Sequence, residues 1–369
     1  MNKENLHELI KRYEVNFDRI NSAEHDEIFK WKVVKCFRDV WFGEAYKELP
    51  FAKRFHLATK DSSVLINNSM ISPTNGVVKL AEEYPAEVET LFAEALFSGE
   101  TDPVIVQAQM DRFLEEMERM RQQKFPSYYR YKQERHAASC YLAFFHPEVH
   151  YIYRYSEAEE FAKYIEFGKN LGAGADFSLP NYYEMADLVV EALKEHPSLI
   201  ERHEKFIEDA PKYYRDKSLH LMAFDLMYCC RCYNFYTGLS HATKKESLKA
   251  YTQQQARQKE EQERLARIQQ AEDELHALDV ELEQYDDISL LDVEVTLSKA
   301  GTGIIVFHDH NMIKVQFPEG VKTFILHKKY PMRTTFENDE AVVDAYTRYA
   351  QLLDLRKKVQ GQLDALLMK

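Results

Sequence analysis

Arg215 and His220 stand in the run RDKSLH, an Arg followed by four residues and then a His. An imidazole placed this way can exchange a proton with a ribose hydroxyl while the guanidinium steadies phosphate charge, the division of labour of a metal-independent ribonuclease. The same run also reads as a helix start, with Asp216 or Ser218 capping and His220 packing locally. The chain has 14 His, enough for such a pair to arise by chance, so the nuclease stands as the alternative reading. A second pair, Arg130 and His136, is less regular.

Cys229-Cys230-Arg231-Cys232 contains C-x-x-C spacing, with His220 and His241 nearby in sequence. Structural zinc takes four ligands, usually from two such pairs, and no second pair exists. Three Cys on one apolar helix serve better as small core fillers. His308-Asp309-His310 falls where a hairpin turn is expected, and Asp suits a turn. No Gly-rich phosphate loop, H-E-x-x-H or Ser/His/Asp arrangement occurs, so neither a metal nor a cofactor is predicted.

The densest concentration of interaction chemistry is YYRYKQERHAASCYLAFFHPEVHYIYRY, residues 128–155. Tyr129, Arg130, Lys132 and Arg135 precede its helix, and Tyr153 and Arg154 follow it. Aromatic faces stack on bases and cations neutralise phosphates. The same residue types are enriched in protein interfaces. Core packing with hydroxyls satisfied at the rim ranks first, a protein interface second and nucleic acid third.

The elements that must hold these residues are mainly helical. The chain has 369 residues, 45% hydrophobic and 30% charged, with 11 Gly and 11 Pro. Scarce Gly and Pro favour long helices over a turn-rich sandwich. The net charge of -13 argues against wholesale coating of nucleic acid but allows a local basic patch. An odd count of 5 Cys fits a reducing cytoplasm, and no run of apolar residues is long enough to predict a membrane span.

Residues 1–243 predict a multi-helix domain. Ile28–Trp41 gives an apolar first helix, Ser72–Gly76 a loop, and Asp102-Pro103 a helix start closed by Pro126. His136–Phe145 is a buried helix, and Ser218–Tyr236 is apolar nearly all round and therefore central. Residues 244–288 predict a coiled-coil helix, since Ile268, Leu275 and Leu282 lie seven apart and Ala271, Leu278 and Tyr285 form the second seam. Residues 289–337 switch to period 2 and predict four short strands closing a small SH3-like or Tudor-like barrel. Residues 338–369 return as a helix with an apolar stripe. A helical hairpin carrying the barrel follows, and Ile268, Leu275, Leu278 and Leu282 are its candidate oligomerisation residues, unless the two stripes satisfy each other internally.

Several phrases in the first 240 residues occur together: FKWKVVKCFRDVW at 29–41, SPTNGVVKLAEEYPAEVETLFAEALFSGE at 72–100, YKQERHAASCYLAFFHPEVHYIYRY at 131–155 and DLMYCC at 225–230. Together they resemble the helical region preceding the AAA+ motor in ATPases related to modified-cytosine-dependent restriction. The motor itself has no counterpart, because no G-x-x-x-x-G-K-[ST] loop exists. The resemblance implies a role in prokaryotic antiphage or restriction systems and says nothing about chemistry. The RDKSLH run, separately, is similar to the motif of HEPN-type ribonucleases. The expectation is therefore a non-catalytic adaptor or sensor whose partner is an effector nuclease or motor encoded nearby, with a HEPN-like ribonuclease or a nucleic-acid-binding adaptor as alternatives.

Overall fold

The computed structural model describes residues 1–208, 210–285, 289–297, 299–309, 312–325 and 340–368. It is mainly helical, with one small antiparallel sheet near the C-terminus. The chain divides into two compact units, Met1–Gln253 and Gln254–Lys369. The division falls inside a helix, not at the composition change near Lys244.

The first unit holds α1 (Lys3–Val15), α2 (Phe17–Ile20), α3 (Phe29–Trp41), α4 (Phe51–Ala58), α5 (Ser63–Ile66), α6 (Pro73–Glu83), α7 (Pro85–Leu91), α8 (Pro103–Lys124), α9 (Arg135–Phe145), α10 (Tyr155–Tyr164), α11 (Leu179–Lys194), α12 (Pro197–Glu208) and α13 (His220–Cys232). One continuous apolar core unites them. Its aromatic centre places Phe92 against Phe51, Phe55, Phe113 and Tyr141. Local signals set the ends. Asp102 accepts a hydrogen bond from the Val104 amide, with Pro103 in the first turn of α8, and Ser178 caps α11 in the same way. The Ser72–Gly76 stretch is not a loop: Pro73 opens α6, because a first-turn proline has no helical N–H to lose. The predicted helix from Ser218 to Tyr236 is shorter at both ends, because Leu219 takes a left-handed φ of 65° and Asn234 one of 55°.

α14 (Lys244–Glu283) begins with a capping box in which Thr243 and Glu246 exchange hydrogen bonds. Ala271, Leu275, Leu278 and Leu282 are buried with Leu352, Val359 and Leu363 of α15 (Glu340–Leu367), and Ile268 and Tyr285 pack alongside. Arg264 donates to the Leu366 carbonyl, Arg356 pairs with Asp279 and Arg348 with Glu281, an order that runs the two helices antiparallel. The candidate oligomerisation residues thus face a partner within their own chain.

β1 (Glu294–Leu297), β2 (Gly301–His308), β3 (Met312–Phe317) and β4 (Gly320–Ile325) form an antiparallel meander in sequence order. Val295, Ile305, Ile313, Val315 and Phe317 bury one face with Leu290. Gly303 is required there: a Cβ would lie 2.7 Å from both Phe317 and Val315. Among the described residues β1 and β4 are the two outer strands, and no pairing closes them on each other. The last predicted barrel residues, 326–337, lie outside the described residues. No described helix is long and apolar enough to cross a membrane.

Candidate functional site

A short 3-10 turn, Tyr129–Tyr131, follows the end of α8 and carries exposed aromatic and cationic side chains. Tyr128 is 57% exposed and Tyr129 50% exposed, with Arg130 exposed beside them. Large aromatic rings normally bury, so two neighbouring exposed tyrosines call for an explanation. The backbone beneath them is held on α6. The Ser72 amide donates to the Arg130 carbonyl at 2.7 Å, and Gln133 Nε2 donates to the carbonyls of Pro73 and Tyr131. At Gly76 a Cβ would come within 2.3 Å of the Tyr131 carbonyl oxygen, so only glycine permits this approach. Tyr128 stacks on Tyr131 with centroids 5.4 Å apart, and the Lys132 ammonium lies 5.4 Å from the Tyr129 ring. Tyr129, Arg130 and Lys132 are therefore brought together on a fixed platform.

Arg135, Tyr153 and Arg154 do not join them. Tyr153 is 5% exposed and packs on Phe177 and Tyr182, with burial lifting its phenol well above the ordinary value. Arg135 pairs with Asp111 at 2.5 Å, and Arg154 faces Glu157 at 3.6 Å. Tyr151 is buried too, donating to Asp187 at 2.6 Å. The second half of the aromatic segment is core, because His146-Pro147 ends α9 and turns the chain inward against α11. His136 also serves the fold, its two ring nitrogens meeting the Tyr153 and Leu65 carbonyls at 2.7 and 2.8 Å.

Arg215 and His220 do not form a pair. Arg215 Nη2 donates to the Glu208 carbonyl at 3.3 Å and lines a surface cavity beside α12. His220 does not line that cavity. Its ring lies on Tyr151 with centroids 4.0 Å apart, and burial lowers its imidazole. The left-handed turn at Leu219 separates the two residues, so the spacing in sequence carries no helical relation. Asp216 is the capping residue: its carboxylate accepts from the Met222 amide and the Ser218 hydroxyl, both at 3.0 Å. Burial nonetheless raises that carboxyl to about 6.

Cys229 and Cys230 are wholly buried fillers of α13, their thiols pushed up by burial. Ligand atoms of Cys229, Glu27 and Asp225 lie within 4.8 Å of one another, a spacing that a metal ion could use. That place is already taken by a cation. The Lys30 ammonium, with no exposed surface, pairs with Glu27 and, at 2.5 Å, with Asp225. Tyr13 donates to Asp225 at 2.6 Å and Tyr233 to Glu27 at 2.7 Å. Burial alone would lower the Lys30 ammonium; Asp225 and Glu27 outweigh it and hold the group above its ordinary value. This network was readable in part. Lys30 lies on the same stripe as Val33, Val34 and Phe37, and Asp225 interrupts the apolar run LMAFDLMYCC; a charge on a buried stripe requires a partner.

Asp309 accepts from the Met312 amide at 2.8 Å, and His308 Nε2 accepts from the Leu290 amide, eighteen residues earlier, at 3.2 Å. His310 lies outside the described residues.

Comparison with protein families, curated proteins and solved structures finds no match.

Proposed function

We propose that this protein is a non-catalytic adaptor that captures a protein partner through the turn Tyr128–Lys132, acting in the cytoplasm as part of an antiphage or restriction system. The observation that carries the reading is the pairing of exposed Tyr128, Tyr129 and Arg130 with a backbone pinned against Gly76. Tyr and Arg dominate binding hot spots because each offers large area and directed hydrogen bonds at low entropic cost. A pinned platform lowers that cost further. Stacking on nucleic-acid bases remains the second use of the same groups. The system to which the protein belongs rests on the sequence resemblance alone.

In the second unit, we read α14 and α15 as a coiled-coil hairpin carrying an SH3-like module. The antiparallel order of contacts and the seven-residue seam support the hairpin. The four-stranded meander with one buried face supports the module.

The deciding experiment compares two variants in a phage-protection assay, with circular dichroism as the folding control. Tyr129→Ala/Arg130→Ala is expected to lose protection at least about tenfold, as loss of two hot-spot side chains would. Arg215→Ala/His220→Ala is expected to keep it. Full protection by the folded turn variant would sink the reading. RNA cleavage by the wild type, lost in the folded Arg215/His220 variant, would install the HEPN-like ribonuclease instead.

A further inference from the structure

A second cavity, between α10 and the start of α14, has a volume of about 600 Å³ and shares no residue with the Tyr128–Lys132 turn. Its size suits a small molecule, since such sites run from about 300 to 1,000 Å³. Both walls belong to the first unit, and ties across them fix the space. Lys244 pairs with Glu159 at 2.9 Å, and the Ala242 amide donates to Glu166 at 3.0 Å. One turn further along α14, the Tyr251 ring lies 5.6 Å from the Lys169 ammonium, which pairs with Glu184.

Three donors in this cavity are unspent. Its two carboxylates are taken, Glu159 by Lys244 and Glu160 by Arg231 at 3.1 Å. Lys163, exposed on α10, has no carboxylate partner among the described residues and only the Tyr164 ring near its ammonium, at 5.7 Å. Ser247 lines the cavity at 7% exposure, and its hydroxyl makes no hydrogen bond among the described residues. A helical hydroxyl can turn onto the carbonyl four residues back, as Thr252 does onto Leu248 at 2.9 Å; Ser247 does not. Unlike the Tyr236 hydroxyl, sealed in the core without a partner, the Ser247 oxygen keeps accessible surface, so a ligand can reach it. The third donor is the N-terminus of α14 itself. Thr243 and Glu246 serve each other in the cap, but the Lys244 and Lys245 amides have no acceptor among the described residues. The first turn of a long helix favours negative charge.

We propose that this cavity binds a small aromatic phosphate monoester. The Lys163 ammonium, the Ser247 hydroxyl and the first turn of α14 take the phosphate, and the ring of the ligand lies against Tyr155 and Phe167. The donors suit a phosphate: three kinds of donor meet its three free oxygens, whereas a carboxylate has two. The remaining surface suits an aromatic group. Tyr155 is 47% exposed on the cavity wall, and Phe167 and Ala162 give it apolar floor.

Titration calorimetry of the full chain with phenyl phosphate tests this, with inorganic phosphate and phenol as further arms. Phenyl phosphate should saturate a single site and bind more tightly than either fragment. Lys163→Ala/Ser247→Ala, a surface change and one that keeps a good helix former in α14, should weaken it at least about tenfold. Tyr129→Ala/Arg130→Ala should bind as the wild type does, which separates this site from the turn. Four outcomes would each overturn the proposal: no saturation by phenyl phosphate to about 5 mM, above the usual range of small-molecule affinities; unchanged affinity in a folded Lys163/Ser247 variant; phosphate or phenol alone binding as tightly as phenyl phosphate; or loss of binding in the folded turn variant.

Discussion

At the scale of single residues, Lys30 is the group whose loss should be felt most. Its ammonium separates two buried carboxylates, and removing one partner of a buried pair leaves charge with neither water nor counter-charge. Lys30→Met should cost about 3 to 5 kcal/mol in urea unfolding. Adding Asp225→Leu and Glu27→Gln to it should recover much of that, since the apolar replacement removes the desolvation penalty along with the attraction. The titrating groups give a second prediction. His150 and His203 are both lowered to about 4 by burial, so unfolding takes up a proton at each below the unfolded value of 6.5. Their stabilisation is full above pH 6.5 and falls as pH drops toward 4, by about 2 kcal/mol each at pH 5. Asp216 works the other way: raised from 3.8 to about 6, it favours folding more as pH falls through 6, returning about 1 kcal/mol over the same span. Net stability should therefore drop between pH 7.5 and 5, and His150→Phe/His203→Phe should make the slope shallower, the remaining lowered histidines His136, His196 and His220 keeping part of it. A wild type equally stable at both values would contradict these assignments.

At the scale of elements, α14 is the place to test. Residues 252–263 are exposed on every side, whereas the buried seam begins beyond Ile268. Unburied helix opens locally at little cost, so trypsin should cut first at Arg257 or Lys259. First cuts within residues 130–235 would contradict the single core there. The same contrast explains what the sequence made legible. Seven-residue spacing exposed the seam, a change of period exposed the strands, and Asp102-Pro103 and Pro126 marked the ends of α8. α12 went unseen because SLIERHEKFIE carries its few apolar residues among many charges. The Tyr/Arg surface was half legible: residue types identified it, but burial of Tyr153 is decided by Phe177 and Tyr182, more than twenty residues away in sequence.

At the scale of the whole molecule, two compact units with separate cores predict more than one unfolding step. Leu275→Glu places a charge in the α14–α15 seam, so calorimetry should show one transition lowered and the other unmoved. Light scattering of that variant should give the molar mass of the wild type, because the seam closes within one chain; a drop in mass would restore the seam as a contact between copies. The buried ammonium of Lys30 has one last consequence. Amine-acylating reagents reach the many lysines at the surface within their ordinary reaction time, but they can reach this one only when α3 and α13 part. Its modification, followed by peptide mass spectrometry over hours in plain buffer, would count the rare complete openings of the first unit. Lys30 would thus serve as a native-state clock that needs no denaturant and no engineered label.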